Sequence, residues 1–169
     1  PSIASTYEAQ VEQFREIFLD ACRIRMRSDV PIGTCLSGGL DSSAVTCGLS
    51  HIAAMNVGER QSSSWQNAFV MTFPDSPIDE KVYARRVVEH TCIQAHYLTL
   101  DPLEMFANLD DYLYKFEELH MGIPFMAMQT YAHVRNNGVV VTLDGHGGDE
   151  ILGGYPWYVF NALEDLEYD

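Results

Sequence analysis

Four short apolar runs, separated by stretches of helical periodicity, constrain this chain more than anything else in it. They are Ile32 to Leu36, Ala68 to Phe73 (AFVMTF), Ala95 to Leu100 (AHYLTL) and Val139 to Leu143 (VVVTL). Each is short, apolar and bounded by polar or turn residues, so each reads as a buried strand. The fourth is apolar on both faces, which predicts a place inside a sheet. Around these runs the period is helical. Val11, Phe14, Ile17, Phe18, Ala21 and Ile24 mark a helix from Tyr7 to about Ser28, ended by Asp29 and Pro31. Further helices are predicted from Asp41 or Ser42 to Met55, from Ser76 to Cys92, from Asp101 to Glu118 and from Phe125 to Asn136. Ser76-Pro77-Ile78-Asp79 and Asp101-Pro102-Leu103-Glu104 are helix-start signals, and Asn136-Asn137-Gly138 is a helix stop. A polar, serine-rich stretch, Asn56 to Gln66, reads as a mobile surface loop.

Strands that alternate with helices imply an α/β fold, a parallel sheet of about four strands sandwiched by helices. Ligands of such sheets bind beyond the carboxyl ends of the strands. Two glycine-rich segments stand at those ends: Ser37 to Ser43 (SGGLDSS) after the first run, and Asp144 to Gly154 after the fourth. They are expected to face one another across a single cleft. An aromatic helix to Asp169 closes the chain.

Bulk properties narrow the function. At 169 residues and 47% hydrophobic, the chain is one domain able to bury a core without disulfide staples. Its net charge of −14, from 24 acids and 10 bases, repels a polyanion, so no nucleic-acid partner is expected. Arg23, Arg25 and Arg27 do not make a patch, because alternate positions of a helix fan over different faces. No apolar run approaches the ~20 residues of a membrane span, and nothing reads as a signal peptide. Cys22, Cys35, Cys47 and Cys92 lie singly, without metal-ligand or disulfide spacing, which fits a reducing, cytoplasmic location. The first residue, Pro1, fits either removal of a methionine or a piece of a longer protein.

In SGGLDSS, Gly38 and Gly39 allow bare backbone N–H groups to approach phosphate oxygens, and Ser42 and Ser43 open a helix whose N-terminus favours an anion. Asp41 would repel a polyphosphate unless a magnesium ion bridged the two. On the residues alone, a serine-glycine turn that only ends a strand remains the alternative. A G-x-x-x-x-G-K-[ST] loop is absent, so the site is not of the kinase or GTPase kind.

Arg27-Ser28-Asp29-Val30-Pro31-Ile32-Gly33, running into Leu36-Ser37-Gly38-Gly39-Leu40-Asp41-Ser42-Ser43, resembles the start of the synthetase domain of glutamine-hydrolysing asparagine synthetases. Val141 to Glu150 (VTLDGHGGDE), ending in Gly153-Gly154-Tyr155, resembles that family's second signature, and SPIDE from Ser76 lies between them. The resemblance implies an adenine nucleotide alpha-hydrolase-like fold (PP-loop, Rossmann-like), with residues 1–169 forming a partial ATP pyrophosphatase domain. It implies ATP and Mg2+ as cofactors, cleavage between the α and β phosphates, and activation of the aspartate side chain as an acyl-adenylate that ammonia converts to asparagine. Leu36, Ser37, Gly38, Gly39, Leu40, Asp41, Ser42, Ser43 and Met71 would bind the nucleotide, with Asp144 and Gly145 beside the α-phosphate. Asp41 and Asp149 would hold magnesium; Asp149 could also cap a helix.

Several features depart from the family pattern. His146 stands where the family has a glutamate; it could serve as a base, hydrogen-bond a phosphate or only fill the turn. The family's catalytic lysine is not matched, since Lys81 and Lys115 lie on predicted helices away from both loops. The cysteine-initiated glutaminase domain and the C-terminal helical region are expected to belong to a longer protein, the glutaminase domain as partner. His120-Met121-Gly122-Ile123-Pro124 departs from the acid-bearing segment common in the family and leaves the acid substrate open. A related amide-forming enzyme of the β-lactam synthetase or peptide macrocyclase type, or a nucleotide-binding module without catalysis, are the alternatives. His51, His90 and His96 form no cluster in sequence. Tyr155, Trp157, Tyr158 and Phe160 would line substrate or pack a terminal helix, and such a face can drive self-association into a homodimer.

Overall fold

A computed structural model describes residues 3–55, 67–118 and 123–166. In chain order the elements are α1 (Tyr7–Arg25), β1 (Ile32–Cys35), α2 (Leu40–Ala54), β2 (Asn67–Thr72), α3 (Lys81–Thr91) and β3 (Gln94–Thr99). They continue with α4 (Pro102–Ala107), α5 (Leu109–Phe116), α6 (Ile123–Asn136), β4 (Val141–Thr142), α7 (Gly148–Leu152) and α8 (Trp157–Leu166). The strands form one sheet in the order β3-β2-β1-β4, and every pairing is parallel. Parallel neighbours need crossover helices, which is what the alternating sequence supplies.

Alternation along the strands sends side chains to two helical layers. Ala68 and Val70 pack with Leu36, Ala84 and Ile93 on the α3 side. Phe69 packs with Val134 and Val139 on the α6 side. On β1, Thr34 meets Thr46 of α2 at 3.5 Å, and both hydroxyls are buried. Helix α1 lies outside α2, where Cys22, Met26, Leu49 and Ile52 form a second core. Phe69 is held between two imidazoles: it stacks on His96 at 4.8 Å and takes the edge of His133 at 5.9 Å.

Four expectations change. The run Val139 to Leu143 is not interior: among the described residues β4 pairs with β1 alone, at the sheet's edge. Val139 is buried and Leu143 packs against the core between α1 and α2, whereas Val140 is 51% exposed, so continuous apolarity here does not mean two covered faces. The helix predicted from Ser76 begins at Lys81. Ser76 Oγ accepts the Ile78 amide, and the Ser76 carbonyl accepts the Asp79 amide, so the start signal folds as turns instead. The helix predicted from Asp101 to Glu118 is two, α4 and α5. Asp101 caps the first as expected, accepting the Leu103 amide at 2.8 Å. Asn108 breaks it, donating from Nδ2 to the Glu104 carbonyl at 2.8 Å with a backbone outside the helical region. Finally, Asp149 is not a helix cap: Gly147 holds that place, and Asp149 lies in the first turn of α7. The stretch Asn56 to Gln66 lies outside the described residues, as do residues 119–122.

Candidate functional site

The chain leaves β1 through Leu36, whose amide donates to the Phe69 carbonyl at 2.9 Å. The loop that follows is tied by its own serines. Ser42 Oγ accepts the Ser37 amide at 3.3 Å and lies 3.0 Å from Ser37 Oγ, which accepts the Gly39 amide at 3.1 Å. Gly38 has φ +97°, and a Cβ there would fall 2.6 Å from the Ala84 nitrogen and 3.0 Å from the Glu80 carbonyl oxygen. Only glycine fits between the loop and the first turn of α3. Gly39 caps α2 without a side-chain hydrogen bond. The first amides of this 15-residue helix therefore point their partial positive charge past the loop.

The second loop does not face the first across a gap; it touches it, because β4 lies directly beside β1. A Cβ on Gly145 would fall 2.7 Å from the Ser42 nitrogen and 2.8 Å from the Asp41 carbonyl carbon. A Cβ on Gly148 would meet the Asp41 carboxylate, with Oδ1 at 2.7 Å. Asp144, just before this contact, accepts three hydrogen bonds. Its Oδ1 accepts the Cys35 amide at 2.7 Å, and its Oδ2 accepts Thr142 Oγ1 at 2.8 Å and the Tyr131 hydroxyl at 3.2 Å.

Both loops open on a cavity of about 660 Å³ at the carboxyl edge of the sheet. Leu36, Phe69, Met71, Phe73 and Ile78 give it an apolar wall on the β2 side. Ser37, Asp41, Ser42, Gly145, His146 and Asp149 give it a polar wall on the β4 side, and Met126, Ala127, Thr130 and Tyr131 of α6 complete it. Of the residues singled out in the sequence, Leu36, Ser37, Asp41, Ser42, Met71, Asp144, Gly145, His146 and Asp149 are brought together here. Gly38, Gly39, Leu40 and Ser43 do not line the cavity. Gly38 supports the loop from α3, and Leu40 is exposed.

Asp41, Glu80, Asp144, Asp149 and Glu150 line the cavity without any lysine or arginine among its lining residues. Lys81 lies over the Tyr97 ring, and Lys115 pairs with Asp111 at 2.7 Å. Among the described residues no three metal-ligating side chains converge. Asp41 and Asp149 both line the cavity; a hard cation that takes its remaining oxygens from a polyphosphate needs only one or two protein carboxylates. Burial, and then the Asp144 carboxylate, push the Cys35 thiol and the Tyr131 phenol up to about 12 each. His146 is exposed at the rim near Glu150, whose carboxyl is held below its ordinary range mainly by the Tyr155 hydroxyl, 2.7 Å away.

Sequence reading passed over Tyr131, Thr130 and Ala127, although their spacing of three and four residues places them on one helix face. It also missed Cys35 and Glu150, both adjacent to residues it did select.

The sequence pattern of the family described as "Asparagine synthase" matches residues 13–167. A protein of Methanocaldococcus jannaschii named putative asparagine synthetase [glutamine-hydrolyzing] 2 is 32% identical over 86% of this chain and 26% of its own length. Amidase chry2 of Gibberella zeae is 28% identical over 93% of this chain and 24% of its own. The chain thus spans about a quarter of the length of these curated relatives. Among solved structures, an NH3-dependent NAD synthetase from Campylobacter jejuni superposes with a TM-score of 0.51 at 14% identity, covering 84% of this chain and 59% of that one. At that identity the likeness concerns the fold.

Proposed function

Because the chain belongs to the asparagine synthase family, we propose that it forms the ATP-using, amide-forming domain of a glutamine-dependent synthetase. In this reading a carboxylate oxygen of the acid substrate, taken as the aspartate side chain, attacks the α-phosphorus. The bond to the bridging oxygen breaks, pyrophosphate leaves, and ammonia then displaces AMP from the acyl carbon. Ammonia would come from a glutaminase domain of the same protein, and residues 1–169 would be one part of the synthetase.

The observation that carries the proposal is the contact between the two loops. Gly145 rests on the Ser42 nitrogen at the start of α2, so residues of both loops line one wall beside an apolar one. The α2 amides and the Ser37 and Ser42 hydroxyls are suited to the departing pyrophosphate. Leu36 and Met71 are suited to a flat, apolar base, and Gly145, which lines the same cavity, would flank the α-phosphate. Asp41 and Asp149 would hold Mg2+, which neutralises charge on the leaving group. His146, at the rim, is placed to meet the incoming amine or a phosphate oxygen.

Calorimetric titration with Mg·ATP tests this reading. The native chain is expected to bind and Asp41→Ala to bind at least ~10-fold more weakly, since a metal contact is lost. Equal binding by both, or by neither, would refute it.

A second reading rests on the stretch His120-Met121-Gly122-Ile123-Pro124, whose sequence departs from the family's acid-bearing segment. An acid other than aspartate is then activated, in an amide-forming reaction of the same kind. Exchange of labelled pyrophosphate into ATP, screened over acids with the intact gene product, decides; exchange with aspartate alone eliminates this reading.

A further inference from the structure

Asp144 lines the cavity, yet most of its carboxylate is taken up by groups of the chain itself. The oxygen Oδ1 reaches back across 109 positions of sequence to the Cys35 amide at the carboxyl end of β1. The oxygen Oδ2 takes Thr142 Oγ1 at the end of β4 and the Tyr131 hydroxyl of α6. A carboxylate has about four acceptor positions, and three are filled by groups from three separate elements. The next residue, Gly145, is the one that touches the Ser42 nitrogen and the Asp41 backbone. From these contacts we infer that Asp144 is a positioning residue: its carboxylate clamps β1, β4 and α6 together and so fixes the spacing between the two phosphate-facing loops.

The electrostatics agree. After burial, the Asp144 carboxylate is what disfavours charge on Cys35 and Tyr131 beside it. The clamp also explains why a two-residue edge strand with an exposed Val140 holds its register. The pairing of β4 with β1 covers only Ile32–Val141 and Gly33–Thr142. Hydrogen bonds to a charged group are each stronger than the neutral backbone bonds they supplement.

The inference rests on the proposed nucleotide site for its functional consequence, and two variants separate positioning from direct ligation. An asparagine at this position still accepts the Cys35 amide through Oδ1 and can donate from Nδ2 to the two hydroxyls, so Asp144→Asn preserves the clamp while removing the charge. Alanine removes both. In the intact gene product, pyrophosphate exchange is expected to fall ~100-fold in Asp144→Ala, the cost of a displacement near 1 Å. It should stay within ~5-fold of native in Asp144→Asn, with the Mg·ATP dissociation constant moving far less than the rate in both. Equal losses in the two variants would overturn the inference, because a ligand to metal or phosphate needs the charge. Hydrogen exchange of the chain keeps the test independent of catalysis. The Cys35 amide should lose protection in Asp144→Ala and keep it in Asp144→Asn, while the Leu36 amide, held by the Phe69 carbonyl, stays protected throughout. If native protein neither binds Mg·ATP nor exchanges pyrophosphate, the nucleotide reading fails and amide exchange alone judges the clamp. Unchanged protection at Cys35 in Asp144→Ala, or equal loss at Leu36, would overturn it.

Discussion

Adding one methyl group at Gly145 should disable the site while leaving the fold standing. A Cβ there would lie 2.7 Å from the Ser42 nitrogen, 2.8 Å from the Asp41 carbonyl carbon and 2.9 Å from Asp41 Cβ. None of these belongs to the far end of a flexible side chain. Relief to ordinary van der Waals contact needs the loops to separate by several tenths of an ångström. Overpacking of this kind costs roughly 1–3 kcal/mol. A domain of this size loses about 2–4 °C of melting temperature per kcal/mol, so Gly145→Ala should melt roughly 2–12 °C lower. The functional loss should be larger in proportion, because the displaced atoms are the loop amides themselves, and a shift approaching 1 Å costs up to ~100-fold in rate. Gly138→Ala, outside the cavity lining, is the control. It has φ +78° and nothing within 4 Å of its Cβ, so it pays only left-handed strain of about 1–2 kcal/mol. Both variants should therefore lose comparable stability, while only Gly145→Ala loses most of its Mg·ATP affinity and pyrophosphate exchange. Equal activity in the two would refute the claim that contact between the loops, rather than general stability, makes the site.

Two further outcomes follow from the same contacts and from the buried histidines. Gly148→Ala presses on the Asp41 carboxylate, a side chain that can swing aside, so thermal stability should change little while the magnesium dependence of ATP binding weakens; calorimetry at graded magnesium reads this, and unaltered dependence would count against Asp41 as a ligand. Burial, and then the charge of His133, lower the pKa of His96, while Asn137 opposes the shift; Asn67 Oδ1 lies 3.0 Å from its Nε2. The unfolded value is about 6.5, so the neutral ring contributes stability fully above that pH, and the contribution is lost as pH falls through the lower folded value. Urea midpoints measured from pH 7.5 to 5 should fall more steeply for the native chain than for His96→Gln; parallel curves would show that His96 does not carry the effect.

What was legible in the sequence follows from the range of the interactions that set each feature. Strands β1 and β2 declared themselves because burial on both faces writes a continuous apolar run, and the two loops did because closely packed backbone needs glycine at fixed places. Local signals misled where a second local bond competed. Ser76 folds its start signal into turns, and Asn108 diverts a carbonyl in the middle of a long helical period. The run Val139 to Leu143 misplaced β4 because apolarity reports average burial, whereas an edge position is a property of the neighbours. The clamp at Asp144 could not be read at all, since its partners Cys35 and Tyr131 lie 109 and 13 positions away and carry no pattern of their own.

That asymmetry says something about how the site is built. The residues that advertise a phosphate loop, Gly38 and Gly39 among them, do their work largely through backbone, and half of the selected loop does not line the cavity. The spacing of that backbone is set elsewhere, by Gly145 against the Ser42 nitrogen and by one carboxylate joining β1, β4 and α6. A loop motif of this kind is therefore only half of a binding site. Transplanted without its second loop, it would keep its hydroxyls and its helix N-terminus but lose the Gly145 and Asp149 side of the cavity. Positions 144 and 145 should accordingly be less tolerant of change than Leu40 or Ser43 inside the motif. Alanine at each of the four, compared by pyrophosphate exchange, puts that order to the test, and a greater loss at Leu40 than at Gly145 would reverse it.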